Sequence, residues 1–154
     1  MTTNDDATLL ALNELLIATR DAERGYQEAA DVVALRDLVE LFEGYALQRA
    51  KFAGEMEERI KTLRATPVKG GSPIGALHRG WMDLKVAADA DPTHARALLE
   101  ECERGEDLAL KLYAATLKSQ DLDQITRTMI QRHYEQVQAA HDRVRQLRDA
   151  ALKV

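Results

Sequence analysis

The sequence has a single cysteine, Cys102, among its 154 residues. One thiol excludes an internal disulfide and any multi-cysteine metal site within the chain. Proline is nearly as scarce, at three residues, and aromatic side chains make up only 5%. That composition argues against an all-β sandwich. The 45% of hydrophobic residues is ordinary for a packed domain and argues against disorder. Positive charge is in deficit, with 21 Lys and Arg against 26 Asp and Glu, net −5. A mildly acidic chain has no electrostatic footprint for nucleic acid or for an anionic membrane, so neither is expected as a partner. Long apolar runs are missing too. The longest, residues 9–18, is interrupted by Asn13 and Glu14 and falls short of the roughly 20 apolar residues that span a bilayer. The opening residues carry no cationic segment of a signal peptide, so the cytoplasm is the expected compartment.

What is present reads as helix throughout. The length predicts one domain over residues 1–154. All the prolines, and four of the eight glycines, fall between Pro67 and Pro92. The flanking segments are free of proline, which predicts two long helical arms and a middle connector. A first helix opens after Asn4, Asp5 and Asp6, whose side chains cap it and suit its dipole. Leu9, Leu12, Leu16, Thr19, Glu23, Tyr26, Ala30 and Val33 follow at alternating spacings of three and four, the period of a helix seam. A second helix is expected from about Leu35 to about Arg64, with Leu38, Phe42, Tyr45, Phe52, Met56, Ile60 and Leu63 inward. The connector, residues 65–91, is expected to hold a short helix capped by Ser72 with Pro73 in its first position.

A third helix opens at Asp91-Pro92 and runs through Leu99, Leu110, Tyr113 and Leu117. After a turn at residues 119–123, a fourth runs from about Leu122 to Ala151, through Ile130, Tyr134, Val137, Val144 and Leu147. A connector this long can carry the chain the length of the bundle and make the second and third helices parallel. The expected fold is therefore all-α: a four-helix bundle with a ferritin-like crossover. The competing topology is an up-down bundle with a helical insertion.

Polar residues interrupt the seams. Glu23-Arg24-Gly25 recurs as Glu103-Arg104-Gly105, and Gln48 and Gln138 each follow an apolar residue. Both arms thus show an acid on the first helix and a glutamine on the second. Folding each arm at its turn brings Glu23 near Gln48 and Glu103 near Gln138, in one middle layer. A buried carboxylate needs a metal, a cation or hydrogen bonds to compensate it. A di-iron bundle uses one Glu on each of two helices and a Glu-x-x-His on each of the others. Here the fourth helix offers Gln138-x-x-His141 and the second Gln48-x-x-Lys51. One ion on Glu23, Glu103 and His141, joined by Glu106, is the metal reading, with Gln48 and Gln138 alongside. The alternative is a buried polar network in which amides and Arg or Lys satisfy the glutamates.

Other residues carry less. His78-Arg79-Gly80-Trp81 reads as a plug at one end of the bundle, and His94 as a solvated side chain. Only one of His133 and Tyr134 can face inward. Cys102 sits between Glu101 and Glu103, a setting that raises a thiol pKa and argues against a nucleophile.

Several motifs together carry a resemblance: Leu12-Asn13-Glu14-Leu15, Glu23-x-Gly25-Tyr26-x-x-Ala29-Ala30, Gln48-Arg49-x-x-Phe52, Leu77-His78-Arg79-Gly80-Trp81-Met82-Asp83-Leu84-Lys85, Glu100-Glu101-Cys102-Glu103-Arg104-Gly105-Glu106-Asp107 and Gln138-Ala139-Ala140-His141-Asp142-Arg143-Val144. The chain resembles an uncharacterised bacterial family of ferritin-like four-helix-bundle proteins, classed as a domain of unknown function. The resemblance implies a ferritin-like fold in a cytoplasmic bacterial protein, and supplies no reaction. The chain departs from the ligand pattern of the wider ferritin-like group at Gln48, Lys51 and Gln138.

The expected function is that of a stress-related ferritin-like bundle with a degenerate carboxylate/His site for one Fe, Mn or Zn ion. A di-iron-type oxidase or peroxidase with unusual ligands is one alternative. A structural or interaction module without metal is the other. A homo-oligomer, a dimer by default, is expected because symmetric dimers are the commonest assemblies.

Overall fold

A computed structural model describes residues 3–33, 35–69 and 95–151. These form α1 (Thr3–Val32), α2 (Arg36–Thr62), α3 (Ala95–Lys118) and α4 (Gln124–Ala151), with no strand among the described residues. The expected connector helix at Ser72 and Pro73, the His78–Trp81 motif, the Asp91-Pro92 start and His94 lie outside them.

The helix ends follow local chemistry. Leu35 precedes α2 in an extended conformation and makes no side-chain cap. The C-terminus of α2 is better built. Arg64 adopts φ 62. This left-handed residue lets the Ala65 N–H reach the Ile60 carbonyl at 3.2 Å and the Arg64 N–H reach Lys61 at 2.9 Å. That is the Schellman pattern, with arginine where glycine is the usual occupant. The chain then turns back along α1. The Val68 N–H donates to Asn13 Oδ1 at 3.0 Å, and the Val68 carbonyl accepts Arg20 Nη1 at 2.6 Å. Asp123 caps α4: its carboxylate accepts the Thr126 N–H at 2.7 Å and Arg59 Nη2 at 3.0 Å. Burial alone raises the Asp123 pKa. The bonds from Thr126 and Arg59 outweigh it and hold the carboxyl below its ordinary value.

Helices α1 and α2 pack as one hairpin and α3 and α4 as the other, with α1 against α3 and α2 against α4. The start of α1 lies at the end of α3, where Thr8 Oγ1 donates to the Asp121 carbonyl at 3.2 Å. The end of α2 lies at the start of α4, where Arg59 bonds Thr126. Every packed pair is therefore antiparallel, and α2 and α3 run parallel on the diagonal. The end of α2 and the start of α3 therefore lie at opposite ends of the bundle, as the crossover reading expects.

Two apolar clusters fill the interior. One, at the α1 N-terminal end, contains Leu12, Leu15, Leu16, Phe52, Met56, Ile60 and Ile130; the other contains Tyr26, Ala29, Phe42, Leu98, Leu99, Cys102 and Val144. The seams differ in detail from the sequence reading. Ala46 and Arg49 point inward on α2, while Tyr45 is half-buried. His133 is fully buried, and its neighbour Tyr134 is half-buried. Leu110 and Leu117 are also half-buried. The cause is the width of the seam: each helix buries a broad stripe, and a residue one position off its centre meets a different neighbour.

Candidate functional site

A polar pair lies in the bundle interior. Arg49 and Glu106 are each only 2% exposed, and Arg49 Nη2 donates to Glu106 Oε1 at 2.8 Å. Tyr26 donates its hydroxyl to the same oxygen, and its ring stands 5.6 Å from the Arg49 guanidinium carbon. Arg49 Nε donates to Gln48 Oε1 at 3.2 Å. Burial and the Glu106 charge push the Tyr26 hydroxyl well above its ordinary pKa, so it remains a donor. Burial, the largest single influence, acts to lower the Arg49 pKa, but the charge and hydrogen bond of Glu106 together with Tyr26 and Tyr113 outweigh it, and the net shift is upward. The Arg49 guanidinium therefore stays charged. The carboxylate has its compensating cation built in.

This interior does not fit the dinuclear metal group that a ferritin-like bundle implies. It would need several carboxylates and imidazoles converging. Among the described residues the inward positions hold one carboxylate, already paired with a guanidinium. The buried imidazole of His133 has no hydrogen-bond partner on either ring nitrogen among them. It stacks on Phe52 with ring centroids 4.0 Å apart. Its Nε2 is 3.4 Å from Glu55 Oε2, too poorly aligned to make a hydrogen bond. Burial, the largest influence, brings its pKa down to about 4. Cys102 is equally inert, since burial pushes its thiol well up.

A second grouping lies at the edge between α3 and α4. Glu103 and Asp107 are four residues apart on α3 and share a face. His141 approaches from α4. Its Nε2 is 2.7 Å from Asp107 Oδ1 and 3.9 Å from Glu103 Oε1. One ligand atom from each residue lies within 4.8 Å of the others, the one such trio among the described residues. Glu103 and His141 side chains are 12% exposed and Asp107 is 52% exposed, so the grouping is shielded on one side and open on the other. The other ring nitrogen, Nδ1, is 3.1 Å from Asp142 Oδ1. The second oxygen of Glu103 accepts from Arg148 Nη1. This is a mixed N/O donor set of the kind that zinc, manganese and iron(II) accept.

The six residues singled out in the sequence do not converge. Glu103 and His141 meet. Glu106, one turn from Glu103, turns inward to Arg49 and Tyr26. Glu23 lines a groove with Arg20, Arg24, Gln27, Ala50, Ala53 and Glu57, on the α1–α2 side. Gln48 bonds Gln136 at 3.4 Å, and Gln138 is exposed. Two members of these groupings escaped the sequence reading. Asp107 was legible as the residue four beyond Glu103. Arg49 was legible from the run Phe42, Ala46, Arg49, Phe52, Met56, whose steps of three and four make Arg49 the seam residue and Gln48 its neighbour.

Comparison with known proteins agrees with this architecture. No relative is found among curated proteins. The fold is similar to a solved structure of a Mycobacterium smegmatis Dps1 mutant, with a TM-score of 0.74 and 17% identity, covering 94% of this chain and 97% of that one. At that identity the likeness shows the ferritin-like fold alone. Residues 7–119 match the family described as Domain of unknown function (DUF2383). With most of its length matched, the chain belongs to that uncharacterised, ferritin-like family.

Proposed function

We propose that this protein binds a single divalent first-row metal ion on Glu103, Asp107 and His141, at the α3–α4 edge of the bundle. The observation that supports this is the convergence of the three ligand atoms within 4.8 Å. Asp142 supplies a further element. A carboxylate at Nδ1 fixes the ring and directs the Nε2 lone pair toward an ion, the usual arrangement around a metal-bound histidine. Glu103 offers Oε1 to the site while Arg148 holds its other oxygen. The exposure of Asp107 leaves the ion open to solvent or to a small ligand on that side. An ion bound there would supply Lewis acidity, or redox change if it is iron or manganese. The protein residues hold and orient it.

The test is elemental analysis and calorimetric titration of protein loaded separately with Zn(II), Mn(II) and, without oxygen, Fe(II). One ion per chain is expected. His141→Ala and Asp107→Asn should each weaken binding by tenfold or more, roughly the cost of one lost ligand interaction. Glu23→Gln and Gln138→Ala should leave it unchanged. No metal above background, or loss of metal in Glu23→Gln with retention in Asp107→Asn, would overturn the proposal.

A further inference from the structure

The outward face of α2 carries a largely exposed apolar side chain. Leu47 is 73% exposed, in a helix that buries Leu38, Phe42, Phe52, Met56 and Ile60. Residues three, four, seven and eleven positions away lie on the same face as Leu47. Its charged members are Arg36, Glu40, Glu43, Lys51 and Glu58, all exposed. Their signs are ordered about Leu47. Glu43 lies four residues before it and Lys51 four after; Arg36 lies eleven before and Glu58 eleven after.

A twofold axis through Leu47 exploits that order. It lays α2 antiparallel on α2 of a second copy, so that each residue before Leu47 faces the one equally far beyond it. Glu43 then meets the partner's Lys51, and Arg36 meets the partner's Glu58. The two Leu47 side chains pack at the axis, where Gly44 opposite the partner's Ala50 permits close approach. We infer that the outward face of α2 binds a second copy of this chain as a twofold antiparallel helix pair.

Charge order selects this occupant over others. A partner of different sequence has no reason to require opposite charges at equal distances on either side of one leucine. Neither Glu43 nor Lys51 has an ion pair among the described residues. Arg36 and Glu58 have only exposed local ones, to Glu40 at 3.3 Å and Lys61 at 3.4 Å, which cost little to exchange. From Arg36 to Glu58 the helix runs about 33 Å, a length suited to an interface of about 1,000 Å², the lower range for specific association. The inference is independent of the metal reading, whose residues lie on α3 and α4.

The experiment is sedimentation equilibrium on the full chain and on variants, with circular dichroism confirming that each is folded. The wild type should sediment as twice the chain mass. Leu47→Glu should be monomeric. Glu43→Lys alone and Lys51→Glu alone each set like charges against one another at both contacts, and each should weaken self-association by about tenfold or more. An equal mixture of those two single variants should dimerise, because opposite charges then meet at both contacts. A monomeric wild type would overturn the inference. So would single variants that dimerise like the wild type, or a mixture that behaves as the sum of its components.

Discussion

At the scale of residues, the Arg49–Glu106 pair has an asymmetry that mutation can expose. Removing one partner strands the other charge in the interior, while removing both removes the desolvation cost along with the attraction. Arg49→Met is expected to cost about 3–5 kcal/mol, the range for breaking a buried pair from one side. Arg49→Met with Glu106→Leu should regain most of that loss. Adding Tyr26→Phe should regain the rest, because the Tyr26 hydroxyl then no longer lacks an acceptor. Urea denaturation of the three variants checks the order. A double variant less stable than Arg49→Met would contradict it. The glutamates in the seams announced that something in the interior must compensate charge. They did not say whether metal or guanidinium does so, because both satisfy a buried carboxylate. A shift of one residue around α2 decides it, and hydrophobic spacing alone is too coarse to read that.

At the scale of elements, helix existence was legible and the helix ends were less so. The periodicity in α1 and α2 reads directly onto Leu12, Leu16, Phe52 and Ile60, all fully or almost fully buried. The fourth helix, expected from about Leu122, starts at Gln124, behind the Asp123 cap. The end of α2 was placed close, but its device was not visible, since nothing in an arginine signals a left-handed backbone. That residue is a target. An L side chain at φ 62 bears a cost that glycine does not. Arg64→Gly should therefore raise stability by about 1 kcal/mol. The offset is the greater freedom of glycine in the unfolded chain. A rise in the urea midpoint without a change in slope is the expected result, and a fall would show that Arg64 makes compensating contacts.

At the scale of the whole molecule, pH is the simplest probe. His133 is buried neutral, and its pKa falls from 6.5 to about 4 on folding. Between those values the unfolded chain binds more protons than the folded one, so stability rises with pH across the window. The contribution is fully present above about pH 7.5 and is lost as pH falls through 6.5 toward 4. A shift of that size corresponds to about 3 kcal/mol. Glu55 and Asp123, whose carboxyls titrate below their ordinary values, act in the same direction at still lower pH. Thermal melts from pH 8 to pH 4 should fall less steeply in His133→Phe, once each variant is referred to its own value at pH 8. Parallel curves would contradict the assignment. The crossover topology was also legible, since a stretch rich in proline and glycine between two long helical hairpins has few other uses. The mutual depth of the hairpins was not, because an offset of a few residues in either turn moves every facing pair.

That mutual depth has a physical arbiter. The apolar interior is rich in leucine and alanine, side chains that tolerate a neighbour sliding by one turn, and such an interior alone admits several near-equal alignments. The ion pair between the two apolar clusters admits one. Sliding α3 against α2 by a single turn, about 5.4 Å, separates Arg49 from Glu106 and leaves two unpaired charges in a medium that penalises each by several kcal/mol. The pair thus acts as a detent, costing little when engaged and heavily when missed. Without it the bundle should remain helical yet sample neighbouring alignments, seen as broadened amide resonances and faster hydrogen exchange along α2 and α3.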